Sequence, residues 1–172
     1  MSDSPIKIEN GFAPIIGNAP KVLILGTMPS VQSLKSQQYY GHPRNAFWWI
    51  MSELCGFDPS LGYSEKVDLI SRRKIAVWDV IASCYRPGSL DSRIDQGTVT
   101  PNPIAALLQA EPTIGLLCFN GQAAEKLFKK FIQLPNWQGE NVILPSTSPA
   151  NAAMTKEAKR GKWSIINDYL SI

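Results

Sequence analysis

Four short apolar runs constrain this chain more than any other feature: "KVLIL" (21–25), "KIAVW" (74–78), "TIGLLCF" (113–119) and "NVIL" (141–144). Each is continuous rather than alternating, rich in Val, Ile and Leu, and bounded by turn residues. A strand with one wet face alternates polar with apolar. A continuous run marks a strand buried on both faces, as in a parallel sheet. Between the runs lie helical patterns. Residues 46–54 are apolar on most faces and halt at Gly56, and residues 64–73 start at Ser64, a good cap, and end in cations. Residues 103–110 start at Pro103 and stop short of Pro112, and residues 122–131 carry Ala123, Leu127, Phe128 and Phe131 along one side. A last helix is expected over about 162–170. Strands alternating with helices predict a three-layer α/β/α sandwich around a central, mostly parallel four-stranded sheet, with all 172 residues in one domain.

The residues just beyond each strand matter for function. The first run leads into "GTMPS" (26–30), the second into Asp79, the third into Asn120-Gly121, and the fourth into "PSTSPAN" (145–151). Open parallel sheets bind ligands beyond the carboxyl ends of their strands. Here all four ends carry small or polar groups, which the fold would gather on one rim.

Composition narrows the class. With 44% hydrophobic and 18% charged residues, the chain can build a full core. No apolar run reaches the ~18–20 residues of a membrane span, and the opening "MSDSPIKIENG" lacks the pattern of a signal peptide, so a cytoplasmic protein is expected. Cys55, Cys84 and Cys118 are scattered without a CxxC pair, which argues for structural thiols and against a disulfide framework or a metal site. From Gly121 onward seven Lys/Arg face four acids, whereas the first 120 residues hold ten of each sign. Such a cluster suits either a solvated helix face or phosphate contact.

Each motif has two readings. Gly26 allows close backbone approach in "GTMPS", so the loop either presents its N–H groups to a ligand or merely turns. It is neither GxGxxG nor a P-loop. In "STSPAN", Ser146, Ser148, Pro149, Ala150 and Asn151 lie just ahead of Lys156, Lys159 and Arg160, a combination suited to gripping phosphates. Asn120 is either a turn residue or an amide presented to a base edge or a water. Asp79 sits in an otherwise apolar strand, where a charge needs a partner or a cavity. "QYYGHPRNAFWW" (38–49) crowds five aromatics around a polar knot that holds His42, the chain's only His.

Together these pieces resemble the uracil-DNA glycosylase superfamily from Val22 to Asn151. "LILGTMPS" is similar to its first strand and catalytic loop, and "YGHPRNAFW" to the base-stacking segment of its mismatch-specific branch. "VWDVI" stands at its base-recognition position, and "STSPAN" resembles its DNA-inserting motif. The first loop lacks the Asp or Asn that handles the attacking water in most branches, and Ser146 stands where the second motif has His. The hypoxanthine-DNA glycosylase branch resembles the chain in lacking the loop amide. That resemblance implies Asn45 as the catalytic residue and Asn120 as a second functional amide.

The resemblance implies hydrolysis of the N-glycosidic bond of a flipped, deaminated base in DNA, without metal or organic cofactor, by a monomer. Tyr40 would stack on the base, with Phe47 and Trp48 forming the pocket wall or the core behind it. Backbone N–H groups at Thr27 and Met28, with Asp79 and Asn120, would meet the base. Asn45 would hold the water, and Ser146–Asn151, Lys156, Lys159 and Arg160 would hold the strand. His42 is read as shaping its turn, and Met154 is a wedge candidate since Ala150 is small. A uracil or thymine mismatch glycosylase, a non-catalytic nucleic-acid-binding α/β module and a flavodoxin-like small-molecule binder remain as alternatives.

Overall fold

A computed structural model describes residues 7–8 and 10–171; most of the opening stretch read as lacking a signal-peptide pattern lies outside them. In chain order the elements are β1 (Lys7–Ile8), β2 (Val22–Gly26), α1 (Val31–Ser36), α2 (Phe47–Cys55), α3 (Tyr63–Arg72), β3 (Ile75–Asp79), β4 (Ile81–Tyr85), β5 (Asp95–Pro101), α4 (Ile104–Ala110), β6 (Leu116–Asn120), α5 (Gln122–Phe131), β7 (Glu140–Leu144), α6 (Lys156–Trp163) and α7 (Ile165–Leu170), with a 3-10 turn at Asp91–Arg93.

The four apolar runs become β2, β3, β6 and β7. They form a wholly parallel sheet in the order β3-β2-β6-β7. Every residue of β2, β3 and β6 is buried, as their unbroken apolar character requires. Successive side chains point to opposite faces, which divides the core in two. Val22, Ile24, Ile75, Val77, Leu116 and Cys118 pack on one face against Phe47, Ile50, Met51 and Ile70, with Trp163 and Ile166 of α6 and α7. Leu23, Leu25, Ala76, Trp78, Leu117 and Phe119 pack on the other against Ile104, Leu108, Leu127 and Phe128 of α4 and α5. The result is the expected three-layer sandwich. Cys84 and Cys118 are buried and Cys55 is half-buried, all as free thiols.

Three local expectations are corrected. A second sheet of three antiparallel strands, β1-β4-β5, adjoins the second core. It was not foreseen because β4 is only partly buried and its pairing with β5 shifts register twice, while β5 is polar and largely exposed. Helix α3 begins one residue early, with Gly62 at its cap position and no side-chain cap, so Ser64 does not cap it. The last helix expected from sequence is two helices, and the first starts at Lys156 because Thr155 caps it, accepting from Ala158 N–H at 3.1 Å. Gly161 does not stop this helix.

The parallel register sets the rim. Gly26 lies opposite Asp79, and Asn120 opposite Leu144, so the carboxyl ends of all four strands finish at one level. The chain leaves β3 there, with Val80 N–H donating to Gly26 O at 2.8 Å and Ile81 N–H to Thr27 O at 3.0 Å. These two bonds attach the loop after β2 to the start of β4.

Candidate active site

The strand ends enclose a cavity of about 90 Å³. Of the residues singled out in the sequence, Gly26, Thr27, Met28, Tyr40, Asn45, Asp79, Asn120, Ser146 and Ser148 line it. Four separate strand ends and the "YGHPRN" segment therefore meet at one place.

The segment that carries Tyr40 and Asn45 is held from several sides. Tyr40 has a positive φ of 53°, an unfavourable conformation for a bulky residue, costing on the order of 1–2 kcal/mol. Its neighbours supply the restraint. Tyr39 N–H donates to the Tyr63 hydroxyl at 3.0 Å, Trp48 Nε1–H to Tyr39 O at 2.7 Å, and Gly41 N–H to Ser33 Oγ at 2.9 Å. Strain overdetermined in this way is typical of functional sites. The Tyr40 ring stacks on Phe47, with centroids 4.1 Å apart and planes 28° off parallel. Of the two places expected for Phe47, it takes the second: it is fully buried behind Tyr40 and does not line the cavity. Trp48 is likewise buried beside it, 8% exposed.

Asn45 is half-buried at the mouth of α2. Its Oδ1 accepts Phe47 N–H at 3.0 Å, while Ala46 N–H donates to Thr147 O at 3.0 Å. The amide is thereby oriented, with its second lone pair and its Nδ2–H groups left for the cavity. His42 does not line this cavity. Its Nδ1 accepts Arg44 N–H at 3.1 Å, shaping the turn.

Asn120 and Thr147 form a closed pair: Asn120 Nδ2–H donates to Thr147 Oγ1 at 3.0 Å, and Thr147 N–H donates to Asn120 Oδ1 at 2.9 Å. Gly121 makes the approach possible. Its φ is 95°, and a Cβ there would stand 3.0 Å from Ser146 Cβ. The amide end of β6 thus fixes the "STSPAN" loop. Within that loop Asn151 Nδ2–H donates to Ser146 O at 3.1 Å, and Ala150 N–H to Ser148 Oγ at 3.1 Å.

The basic stretch behind the loop does not present three free cations. Lys159 is 4% exposed and donates to Ser148 O at 3.3 Å, so it supports the loop from beneath and is corrected from a phosphate contact. Arg160 pairs with Glu53 at 3.0 Å, and Lys156 lies over the Trp49 ring, 4.4 Å from its centroid. Both remain exposed. Met154 is half-buried.

Two polar atoms of the lining residues stand out. Among the described residues, Tyr40 Oη and Asp79 Oδ2 are the buried side-chain polar atoms without a hydrogen-bond partner. The two side chains flank Gly26: a Cβ there would meet Asp79 Oδ1, the other carboxylate oxygen, at 2.6 Å and Tyr40 Oη at 2.7 Å. Unpartnered buried groups are costly unless a ligand or water satisfies them. Burial pushes the Asp79 carboxyl up to about 7, helped by the charge of Asp91 and opposed by that of Arg86. Burial also raises the Tyr40 phenol, with the Asp79 charge adding to it and the nearby Asn120 amide opposing it without reaching hydrogen-bond geometry.

Sequence reasoning missed Asp91, whose Oδ1 accepts the Thr27 hydroxyl at 2.6 Å across 64 residues of sequence. It also missed Ser30, Ser33, Tyr39 and Ser89 on the lining. Thr147, fully buried, lies inside "STSPAN" but its exposed neighbours drew the attention. Met28 lines the rim and its side chain joins the core, with Sδ 3.2 Å from Cys84 Sγ.

Comparison with known proteins identifies the family and supports the fold. The model of the uracil DNA glycosylase superfamily matches residues 14–170. A Methanosarcina acetivorans protein named hypoxanthine DNA glycosylase is 31% identical over 160 residues, spanning 92% of this chain and 98% of its own. The protein of that name from Methanosarcina barkeri is 32% identical over 157 residues, spanning 91% and 96%. A Methanosarcina acetivorans protein solved in solution by NMR superimposes with a TM-score of 0.78 at 30% identity, covering 97% of this chain and all of its own.

Proposed function

The chain belongs to the uracil-DNA glycosylase superfamily, and we propose that within it the protein excises hypoxanthine from deoxyinosine in DNA. The observation that carries this reading is the strand-end cavity, which Asn45 lines together with the unpartnered Tyr40 hydroxyl and Asp79 carboxyl. The names of the two full-length relatives support the choice of base.

A base inside a duplex is out of reach, so the damaged nucleotide must leave the stack and enter the cavity. Hypoxanthine carries a donor at N1–H and an acceptor at O6. Asp79 and the Tyr40 hydroxyl together offer an acceptor and a donor, and the backbone N–H groups near Thr27 and Met28 add further donors. Asn45 holds a water below the anomeric carbon. An amide is no base at neutral pH, so its contribution is position. The glycosidic bond breaks with its electron pair on the base, and the water oxygen bonds to the sugar carbon. The proton that water releases balances the one the base takes up. Hypoxanthine departs more readily as an anion than adenine does, which suits a site with a water-holding amide in place of a carboxylate.

Asp79 makes the reaction sensitive to pH. Its carboxyl titrates at about 7 in the folded protein. Below that it is neutral; above it a buried negative charge faces the departing anion and opposes it. Cleavage is therefore expected to fall as pH rises from ~6 to ~8, and Asp79→Asn to flatten that fall. Stability gives a second readout. Between about pH 4 and 7 the folded state keeps a proton that the unfolded chain has released, so unfolding free energy declines through that window. The decline is on the order of 4 kcal/mol for this group. Urea unfolding of the wild type and Asp79→Asn at about pH 5 and pH 8 checks it: a wild type that loses no more stability between the two than the variant does contradicts the assignment.

The proposed base choice is tested by incubating deoxyinosine, uracil and thymine substrates in parallel and cleaving abasic sites with alkali. A uracil or thymine mismatch enzyme would break those strands first. A binding module would shift the DNA and break none.

A further inference from the structure

Among the described residues, Arg86 is a buried cation without an ion pair. It is 3% exposed, and it is absent from the salt bridges found among the described residues. Desolvating a guanidinium is expensive unless its donors are well used. Two are used on backbone carbonyls: Nη2–H donates to Pro29 O at 2.6 Å and Nε–H to Gly88 O at 2.9 Å. The side chain thus bridges the loop after β2 and the turn after β4.

The same turn reaches that loop twice more. The Thr27 hydroxyl donates to Asp91 Oδ1 at 2.6 Å, and Val31 N–H donates to Ser89 Oγ at 2.9 Å. Residues 27, 29 and 31 are therefore all tied to residues 86–91. A connection needed only to close a hairpin would not require three ties to another loop, nor a buried charge in the middle one.

Where the charge sits explains its use. Asp79 ends β3 at the cavity, facing Asp91 from the 3-10 turn, Tyr39 and Tyr40 from the strained segment, and Arg86 from the end of β4. Arg86 is the cation of that group. A base leaving as an anion beside two carboxylates meets repulsion, and a guanidinium in the same low-dielectric surroundings offsets it. Its bond to Pro29 O also polarises the Pro29–Ser30 peptide, making the Ser30 N–H a stronger donor at the cavity edge.

We propose that Arg86 is a positioning residue for the reaction. Through Pro29 O it holds the 26–31 loop at the cavity, and its charge balances Asp79 and Asp91 as the base departs. The proposal rests on the hydrolytic reading given under the proposed function.

The test compares wild type, Arg86→Lys, Arg86→Gln and Ser89→Ala in single-turnover cleavage of a deoxyinosine duplex from about pH 5 to 9. Wild-type cleavage establishes the hydrolytic reading; its absence overturns that reading and this proposal with it. Given wild-type activity, both Arg86 variants are expected to lose ~10²-fold in rate, with DNA affinity changed less than threefold. In Arg86→Gln the pH at which activity falls should also move upward, since Asp79 then keeps its proton longer. A purely structural role would not move that limb. Should the Arg86 variants fail to fold, Ser89→Ala, at an exposed position, is expected to slow cleavage several-fold through the loosened loop. Arg86 variants that cleave at the wild-type rate, or an Arg86→Gln whose pH limb does not move, overturn the proposal; where the Arg86 variants do not fold, an unchanged rate in Ser89→Ala overturns it.

Discussion

Asn45→Ala is expected to leave a folded protein that binds deoxyinosine DNA and cleaves it at least ~10²-fold more slowly, the usual loss when one preorganised polar group is removed from the reacting centre. The fold should survive because the Asn45 side chain contributes a single bond, 3.0 Å from Phe47 N, at the open end of α2, where water can replace the lost acceptor. The sandwich core behind it, with Phe47, Ile50 and Met51 fully buried, is untouched. Single-turnover kinetics with saturating enzyme separate the chemical step from binding. An Asn45→Ala protein that cleaves as fast as wild type would remove the water-holding role altogether, whatever else the cavity binds.

Gly26→Ala is expected to have a comparable effect for a different reason. Gly26 is the last residue of β2, and its backbone conformation is open to any residue, so the added methyl acts by volume alone. It would stand 2.6 Å from Asp79 Oδ1 and 2.7 Å from Tyr40 Oη. Neither can retreat easily: Tyr40 is stacked on Phe47, and Asp79 is 4% exposed at the end of a strand paired through its whole length. Overpacking of this kind costs about 1–3 kcal/mol of stability. Displacing by an ångström the two groups proposed to contact the base is expected to cost ~10²-fold in rate. Thermal unfolding and deoxyinosine cleavage on the same preparation separate the two losses. A variant with wild-type activity would show that the Tyr40 hydroxyl and Asp79 are not where the base is held.

The layered fold was legible because burial on both faces leaves one kind of mark. Val22 through Leu25 and Leu116 through Phe119 have no wet side, so their sequence cannot alternate. The rim followed from that, since strand direction alone decides which loops meet. The antiparallel sheet carries no such mark: Asp95–Pro101 is polar and exposed, and its partner β4 is bulged. With it went Asp91 and Arg86, whose importance lies in contacts to Thr27 and Pro29 that no local pattern announces. The basic helix shows the opposite limit. Lys159 reads as a surface charge in sequence, yet the Ser148 carbonyl covers it, because burial of a flexible side chain depends on what folds over it. The resemblance pointed to Asn45 and Asn120 where spacing alone could not. The structure adds that Asn120 spends both ends of its amide on Thr147.

The central claim is that this cavity hydrolyses the glycosidic bond of hypoxanthine. The measurement that tests it most directly is single-turnover excision on one duplex carrying deoxyinosine, deoxyuridine or a thymine mismatch at the same position, followed by alkaline scission. The predicted result is strand breakage at deoxyinosine, lost in Asn45→Ala, with uracil and thymine slower by at least tenfold. Faster breakage at uracil, or DNA binding with no breakage at any of the three, would contradict it.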